Sequence, residues 1–208
     1  MDRGCIYVNK SSFSDNIQFL KGFTNKELCV VVKANAYGHG IDWTVNTAIE
    51  SGVKWFAVAA VDEAILVRKI SDNIRILLLS EPSISELEKL VVNNIDTTVY
   101  NEKFIDQLGE SKEALKVHLK LDTGMHRVGC SPENFLRIHE KILSYKNLAL
   151  EGICTHFPVA DTQKEDTKQS VDLFMKTISS IDIKNLFIHA DNSASTTFND
   201  EKIFNLTR

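Results

Sequence analysis

The chain has 208 residues, 43% hydrophobic and 25% charged, with a formal net charge of −4. Such values are ordinary for a soluble globular protein; the mild acidity gives no electrostatic case for nucleic acid or an anionic membrane, and no apolar run reaches the length of a membrane span. The cysteines Cys5, Cys29, Cys130 and Cys154 form no CxxC pair and match no zinc spacing, so they read as reduced thiols of a cytoplasmic protein, with no metal site expected. No basic-then-apolar segment opens the sequence, and no signal peptide is expected.

In chain order, residues 5–8 read as a short strand. Ser12, with Asp15 three positions on, reads as the cap of a helix over 13–22. The β-branched run Val30-Val31-Val32 belongs to a strand over 28–34 buried on both faces. Gly38 and Gly40 permit the tight turn that leaves it. Ile41, Val45, Ala48 and Ile49 mark one face of the next helix. Further strands are expected over 55–60, 74–80, 95–100, 115–122, 148–155 and 185–190. Helices are expected over 61–70 and 165–180, and after the Ser83/Glu86 capping box, the N-cap Asn101 and the Ser131-Pro132 start.

Strand and helix alternate without a linker or low-complexity stretch, which argues a parallel sheet with crossover helices in one domain. Seven strand–helix units, and candidate site residues after several different strands, favour an α/β (β/α)8 TIM-type barrel over a doubly wound sheet. The absence of GxGxxG after the first long strand lowers a dinucleotide reading. Barrels of this type take roughly 250 residues, so the expected eighth strand only begins at 203–208, and the first and last full strands are expected to keep unpaired edges. Lys33 stands at the end of a buried strand, where parallel α/β enzymes place their chemistry. The bland alternative is a lysine that snorkels out of the core.

The segment Val30-Val31-Val32-Lys33-Ala34-Asn35-Ala36-Tyr37-Gly38-His39-Gly40 resembles the pyridoxal 5'-phosphate (PLP) lysine motif of bacterial alanine racemases. The resemblance implies that Lys33 forms a Schiff base with PLP and that Tyr37 bonds its phosphate. A lysine in that role needs a lowered pKa, which partial burial supplies. The run 120–129, KLDTGMHRVG, is similar to the second diagnostic motif of the same family. It implies that Arg127 contacts the phenolic oxygen of PLP and the substrate, and that Lys120 matches a lysine often carbamylated to hold that arginine. Three further matches imply that His156 lies on the pyridine ring, that Ser193, beside Asn192, binds phosphate, and that Arg208, supported by His189, faces the pyridine nitrogen. Where this chain has His126 the family often has glycine, and where it has Asp191 a small residue.

The implied function is PLP-dependent interconversion of L- and D-alanine, supplying D-alanine for peptidoglycan, in a cytoplasmic protein whose full length is a homodimer. In the family a C-terminal β-domain follows the barrel and brings a catalytic tyrosine across the dimer. Nothing in these residues matches it, so residues 1–208 are expected to be inactive alone. Two rivals stand beside this reading: a racemase of another amino acid such as serine, and a non-catalytic PLP carrier.

Overall fold

The computed structural model describes residues 4, 6–197 and 204–208. Among them, eight parallel strands alternate with helices. The strands are β1 Glu27–Val31, β2 Trp55–Val58, β3 Arg75–Leu78, β4 Asp96–Val99, β5 Leu115–Lys120, β6 Leu148–Cys154, β7 Phe187–His189 and β8 Leu206–Thr207. The helices are α1 Lys10–Thr24, α2 Lys33–Tyr37, α3 Ile41–Glu50, α4 Val61–Ile70, α5 Leu87–Val92, α6 Glu102–Ser111, α7 Pro132–Ser144 and α8 Lys164–Ile178. The hydrogen-bonded order β7-β6-β5-β4-β3-β2-β1-β8 makes a nearly closed barrel, as the sequence predicts.

Period-two alternation divides each strand between two cores. The larger core lies between strands and helices and includes Phe56, Val58, Ile76, Leu78, Val117 and Leu119. Their neighbours Cys29, Trp55, Ala57, Leu77 and Leu206 form a separate, smaller cluster inside the barrel. One end of the interior is polar. The Arg75 guanidinium lies 4.2 Å from the Trp55 ring and 5.3 Å from Phe187, and pairs with Asp96 at 2.5 Å and Glu151 at 3.0 Å.

Several local expectations hold. Asn101 caps α6 by accepting the Lys103 and Phe104 N–H groups, and Pro132 opens α7 after Ser131. The Ser83/Glu86 box starts a single 3-10 turn that runs into α5. Others need correction. Residues 6–8 join no strand, and Cys5 lies outside the described residues. Asn9, not Ser12, caps α1: the Asn9 side chain accepts the Ser12 N–H at 3.1 Å, which places Ser12 inside the helix. β1 ends at Val31 rather than at residue 34.

The open edge expected on β1 is filled. β8 pairs with it through Glu27↔Leu206 and Leu28↔Thr207. Towards β7 the seam is stitched by Asn205 and Arg208. The Asn205 N–H donates to Ile188 O at 3.1 Å, its side chain accepts the Ile188 N–H at 2.8 Å, and the Arg208 N–H donates to Asp191 O at 3.0 Å. An ion pair spans the same seam. Lys26, just before β1, reaches the wholly buried Asp191, just after β7, at 3.0 Å. Removing one partner of a buried pair costs about 3–5 kcal/mol. Lys26→Met should therefore lower unfolding free energy by about 2–4 kcal/mol, the lower range reflecting the lysine's residual contact with water, as read from the denaturant midpoint at constant slope.

Candidate active site

The end of β1 sets the site's first residue. Val32 N–H still bonds Ala57 O at 2.8 Å, so the chain stays on the sheet until Lys33. α2 then turns in the left-handed sense: Ala34, Asn35, Ala36 and Tyr37 all have φ between 50° and 54°. Such a turn costs L-residues roughly 1–2 kcal/mol each, so it persists only where its surroundings hold it. Ala36 N–H bonds Val32 O at 2.9 Å, Gly38 N–H bonds Ala34 O at 2.9 Å, and the Asn35 side chain accepts the Ile41 N–H at 2.8 Å. Gly38 and Gly40, at φ 84° and 103°, release the chain into α3. The Lys33 amine ends 5.8 Å from the centre of the Tyr37 ring.

The loop after β5 doubles back on itself. Asp122 N–H bonds Cys130 O and Cys130 N–H bonds Lys120 O, both at 2.9 Å, while the Asp122 carboxylate accepts the Gly124 and His126 N–H groups at 3.0 Å. Gly129 has φ 134°, and a Cβ there would stand 2.7 Å from Asp122 N. His126 has φ 51°, a conformation glycine adopts without cost, which accounts for glycine as an alternative at this position. This tight loop carries the exposed Arg127 to a cavity that Lys120 also lines.

Lys120 is 6% exposed. Burial pushes its amine pKa down; the Cys154 sulfur opposes this, and the Arg208 and Arg127 charges add to it. Among the described residues no carboxylate pairs with it. After β7, the Asn192 side chain accepts the Ala194 and Ser195 N–H groups and so caps the turn Ser195–Thr197, leaving Ser193 exposed at the rim. Asp191 is turned away from the cavity, towards Lys26 and the Ser195 hydroxyl. Arg208, after β8, donates to Thr155 O at 2.6 Å.

These strand ends surround a cavity of about 750 Å³, within the usual range for small-molecule sites. Lys33, Tyr37, Lys120, Arg127, His156, Asn192, Ser193 and Arg208 all line it. His189 does not. It lies deeper in the barrel, with its Nε2 2.9 Å from His118 Nδ1. The sequence reading missed His118, although it stands two positions before Lys120 on the same strand face. It also missed Thr196, and Thr207, whose buried hydroxyl has no partner among the described residues although Thr207 lines the cavity. The α1 residues Phe13, Asn16, Ile17 and Leu20, which also line it, were read only as part of a helix over 13–22.

The electrostatics point one way. Lys33, Lys120, Arg127 and Arg208 bring four cationic groups to the cavity, and no Asp or Glu lines it among the described residues. A partly desolvated space with that balance favours an anionic ligand. His156 reports the same field: burial first, then the charges of Arg208, Lys120, Arg127 and Lys33, push its imidazole down to about 4.

A parallel β/α barrel with a cation-lined cavity at the C-terminal ends of its strands is the architecture of a large class of enzymes. Residues 8–208 match the family described as "Alanine racemase, N-terminal domain", and the chain belongs to that family. It is 37% identical over 214 residues to an alanine racemase of Treponema denticola, covering 97% of this chain and 56% of that protein. The crystal structure of alanine racemase from E. faecalis superposes with a TM-score of 0.91 at 28% identity, over 97% of this chain and 57% of that one. A histidine racemase from Leuconostoc mesenteroides superposes at 0.88 with 25% identity, over 96% of this chain and 56% of that one. The chain thus spans rather more than half the length of these proteins.

The lowered His156 value has a consequence for stability. Unfolded, a histidine binds its proton near pH 6.5; folded, His156 does so only near 4. Between those values the unfolded state holds more protons, so acidification destabilises the fold and the contribution is present in full only above 6.5. The buried His118 and His189, also shifted down, act in the same direction. Denaturation measured from pH 7 to pH 4 should show stability falling throughout, with a shallower fall in His156→Gln; equal slopes would contradict a neutral His156.

Proposed function

We propose that this chain is the cofactor-binding barrel of an alanine racemase that interconverts L- and D-alanine with pyridoxal 5'-phosphate. One observation carries the reading: Lys33, at the end of β1, shares its cavity with Lys120, Arg127 and Arg208, and no carboxylate lines it among the described residues. The residues present fit such a group. Ser193 and Tyr37, with the turn capped by Asn192, would hold its phosphate, and Arg127 its phenolic oxygen. His156 would lie on the ring, and Arg208 would face the pyridine nitrogen. Lys120 would support Arg127 as an anionic carbamate, formed when its neutral amine adds CO2 and releases a proton; burial, and the absence of an acidic partner among the described residues, favour that neutral amine. When bound, the cofactor acts as an electron sink for the substrate Cα.

Lys33 has two tasks in this scheme. Its amine would anchor the cofactor, and the same amine would take or return the Cα proton on one face. The Arg208 guanidinium carries only donors, so facing the pyridine nitrogen it would leave that nitrogen without a proton. A cofactor held in this way would be a weaker electron sink. The proton on the opposite face needs a second base, which in the family is a tyrosine of the C-terminal domain. Residues 1–208 by themselves should therefore turn over alanine poorly, since a positioned acid or base contributes about 10²–10⁴-fold. The whole protein is read as a cytoplasmic homodimer supplying D-alanine to peptidoglycan.

A second reading, a racemase of another amino acid, is favoured by the superposition on the histidine racemase. Comparing turnover of alanine, serine and histidine by the full-length gene product separates the two. Borohydride reduction of the PLP-loaded protein followed by peptide mapping should mark Lys33, and a mark elsewhere would overturn the assignment. Tyr37→Phe and Ser193→Ala should each weaken PLP binding by about 1–3 kcal/mol, the scale of a lost hydrogen bond to a charged group. Unchanged affinity in both would count against the phosphate site.

A further inference from the structure

The turn after Lys33 is left-handed over four consecutive non-glycine residues, and its own hydrogen bonds leave its first donor, the Ala34 N–H, unused. In any helical turn the first N–H groups lack an internal partner. Here that donor is taken from outside. Glu63 Oε1 accepts the Ala34 N–H at 2.6 Å. The other oxygen of the same carboxylate accepts the Ala59 N–H at 3.0 Å and the Ala60 N–H at 3.2 Å. One side chain thus ties together the loops after β1 and β2.

Capping α4 requires only part of this. Glu63 is the third residue of α4, and a glutamate there ordinarily reaches back to the N-cap N–H, here that of Ala60. The bond to Ala34, 29 positions away in sequence, is surplus to that task and is the shortest of the three. It falls on the peptide group joining Lys33 to Ala34, so it fixes the direction in which the Lys33 side chain leaves the backbone. Glu63 forms no ion pair with Lys33 among the described residues, so any influence on that lysine runs through the backbone.

We propose that Glu63 is a positioning residue for Lys33: its carboxylate, anchored on Ala59 and Ala60, clamps the left-handed turn that aims the Lys33 amine into the cavity. This rests on the reading of Lys33 as the cofactor-binding amine. A strained turn at a functional residue needs such external restraint, and a reacting group held loosely by its support loses much of its effect.

The test uses the full-length protein loaded with PLP, in wild type, Glu63→Ala and Glu63→Asp. Aspartate is one methylene shorter; it can still cap α4 from the third position but falls short of Ala34. Both variants should form the covalent Lys33 link about 10- to 100-fold more slowly, followed by visible absorbance and by borohydride trapping, with kcat lowered similarly and KM changed little. Glu63→Asp should keep the melting temperature of the cofactor-free protein close to wild type. Amide hydrogen exchange in the wild type supplies a measurement independent of any variant's folding: the Ala34 N–H should be protected at least tenfold over an unbonded amide. An unprotected Ala34, or link formation and kcat within twofold of wild type in Glu63→Asp, would reduce Glu63 to a helix cap. Trapping of wild type at a different lysine would instead overturn the Lys33 assignment itself, and is distinguishable because it appears without any mutation.

Discussion

Closure of the barrel is the constraint on which the rest of the structure depends. Parallel strands bury both faces, and an open edge would leave a row of unpaired backbone groups beside an apolar interior. The closing strand β8 is only two residues long, so its ladder cannot seal the seam unaided. Side chains complete it: Asn205 substitutes its amide for missing backbone partners on β7, and the Lys26–Asp191 pair crosses from the start of β1 to the end of β7. The same seam builds much of the cavity. Ser193 follows β7, Arg208 follows β8 and Lys33 follows β1. Closing the barrel and bringing these three together are one event, and strain at the seam would be felt at both.

The two ends of the barrel interior are treated differently. At one, the Arg75 charge is answered by Asp96 and Glu151 and covered by the faces of Trp55 and Phe187. Each group there has its complement, as burial demands. At the other end Lys33, Lys120, Arg127 and Arg208 converge without a carboxylate among the described lining residues. An arrangement that costs free energy in isolation is the mark of a site whose complement comes from a ligand. The turned-away Asp191 shows the same logic in reverse, since its charge is spent on Lys26 rather than on the cavity.

Much of this was legible in the residues, for identifiable reasons. The helix over 61–70 was bounded correctly because apolar periodicity and flanking strands agree there. Lys33 was placed at a strand end because a β-branched run stops at it. The left-handed turn was not legible. Ala, Asn, Ala and Tyr carry no signal for positive φ over four residues, and the turn exists because the Asn35 side chain ties it to Ile41 while Val32 and Glu63 hold it from outside the segment. Asn9 and Ser12 are both good caps, and only the geometry of α1 chooses between them. The Lys26–Asp191 pair joins residues 165 apart in sequence, a contact no local pattern encodes. Glu63 carries no local signal beyond that of a first-turn acid of α4.

The buried histidine pair can be assigned its protons by elimination. His118 and His189 are fully buried and both shifted towards the neutral form, by desolvation first in each case. Each ring then has one N–H and one bare nitrogen. If His118 Nδ1 donated to His189 Nε2, the bare Nε2 of His118 would face Asp96 Oδ2, 3.8 Å away, lone pair against carboxylate. The reverse arrangement avoids this: His189 Nε2–H donates to His118 Nδ1, and His118 Nε2–H points at Asp96. His189 Nδ1 is then left bare. Gly152 makes the pairing possible, because a Cβ there would lie 2.4 Å from His118 Nδ1. The carboxylate at the compensated end of the barrel thus fixes, through two imidazoles, an acceptor at His189 Nδ1. Arg208 is the charge that acts most strongly on His189, and a bare nitrogen is the form that a neighbouring guanidinium stabilises. The two ends of the interior, one neutralised and one cationic, are joined by this pair of rings.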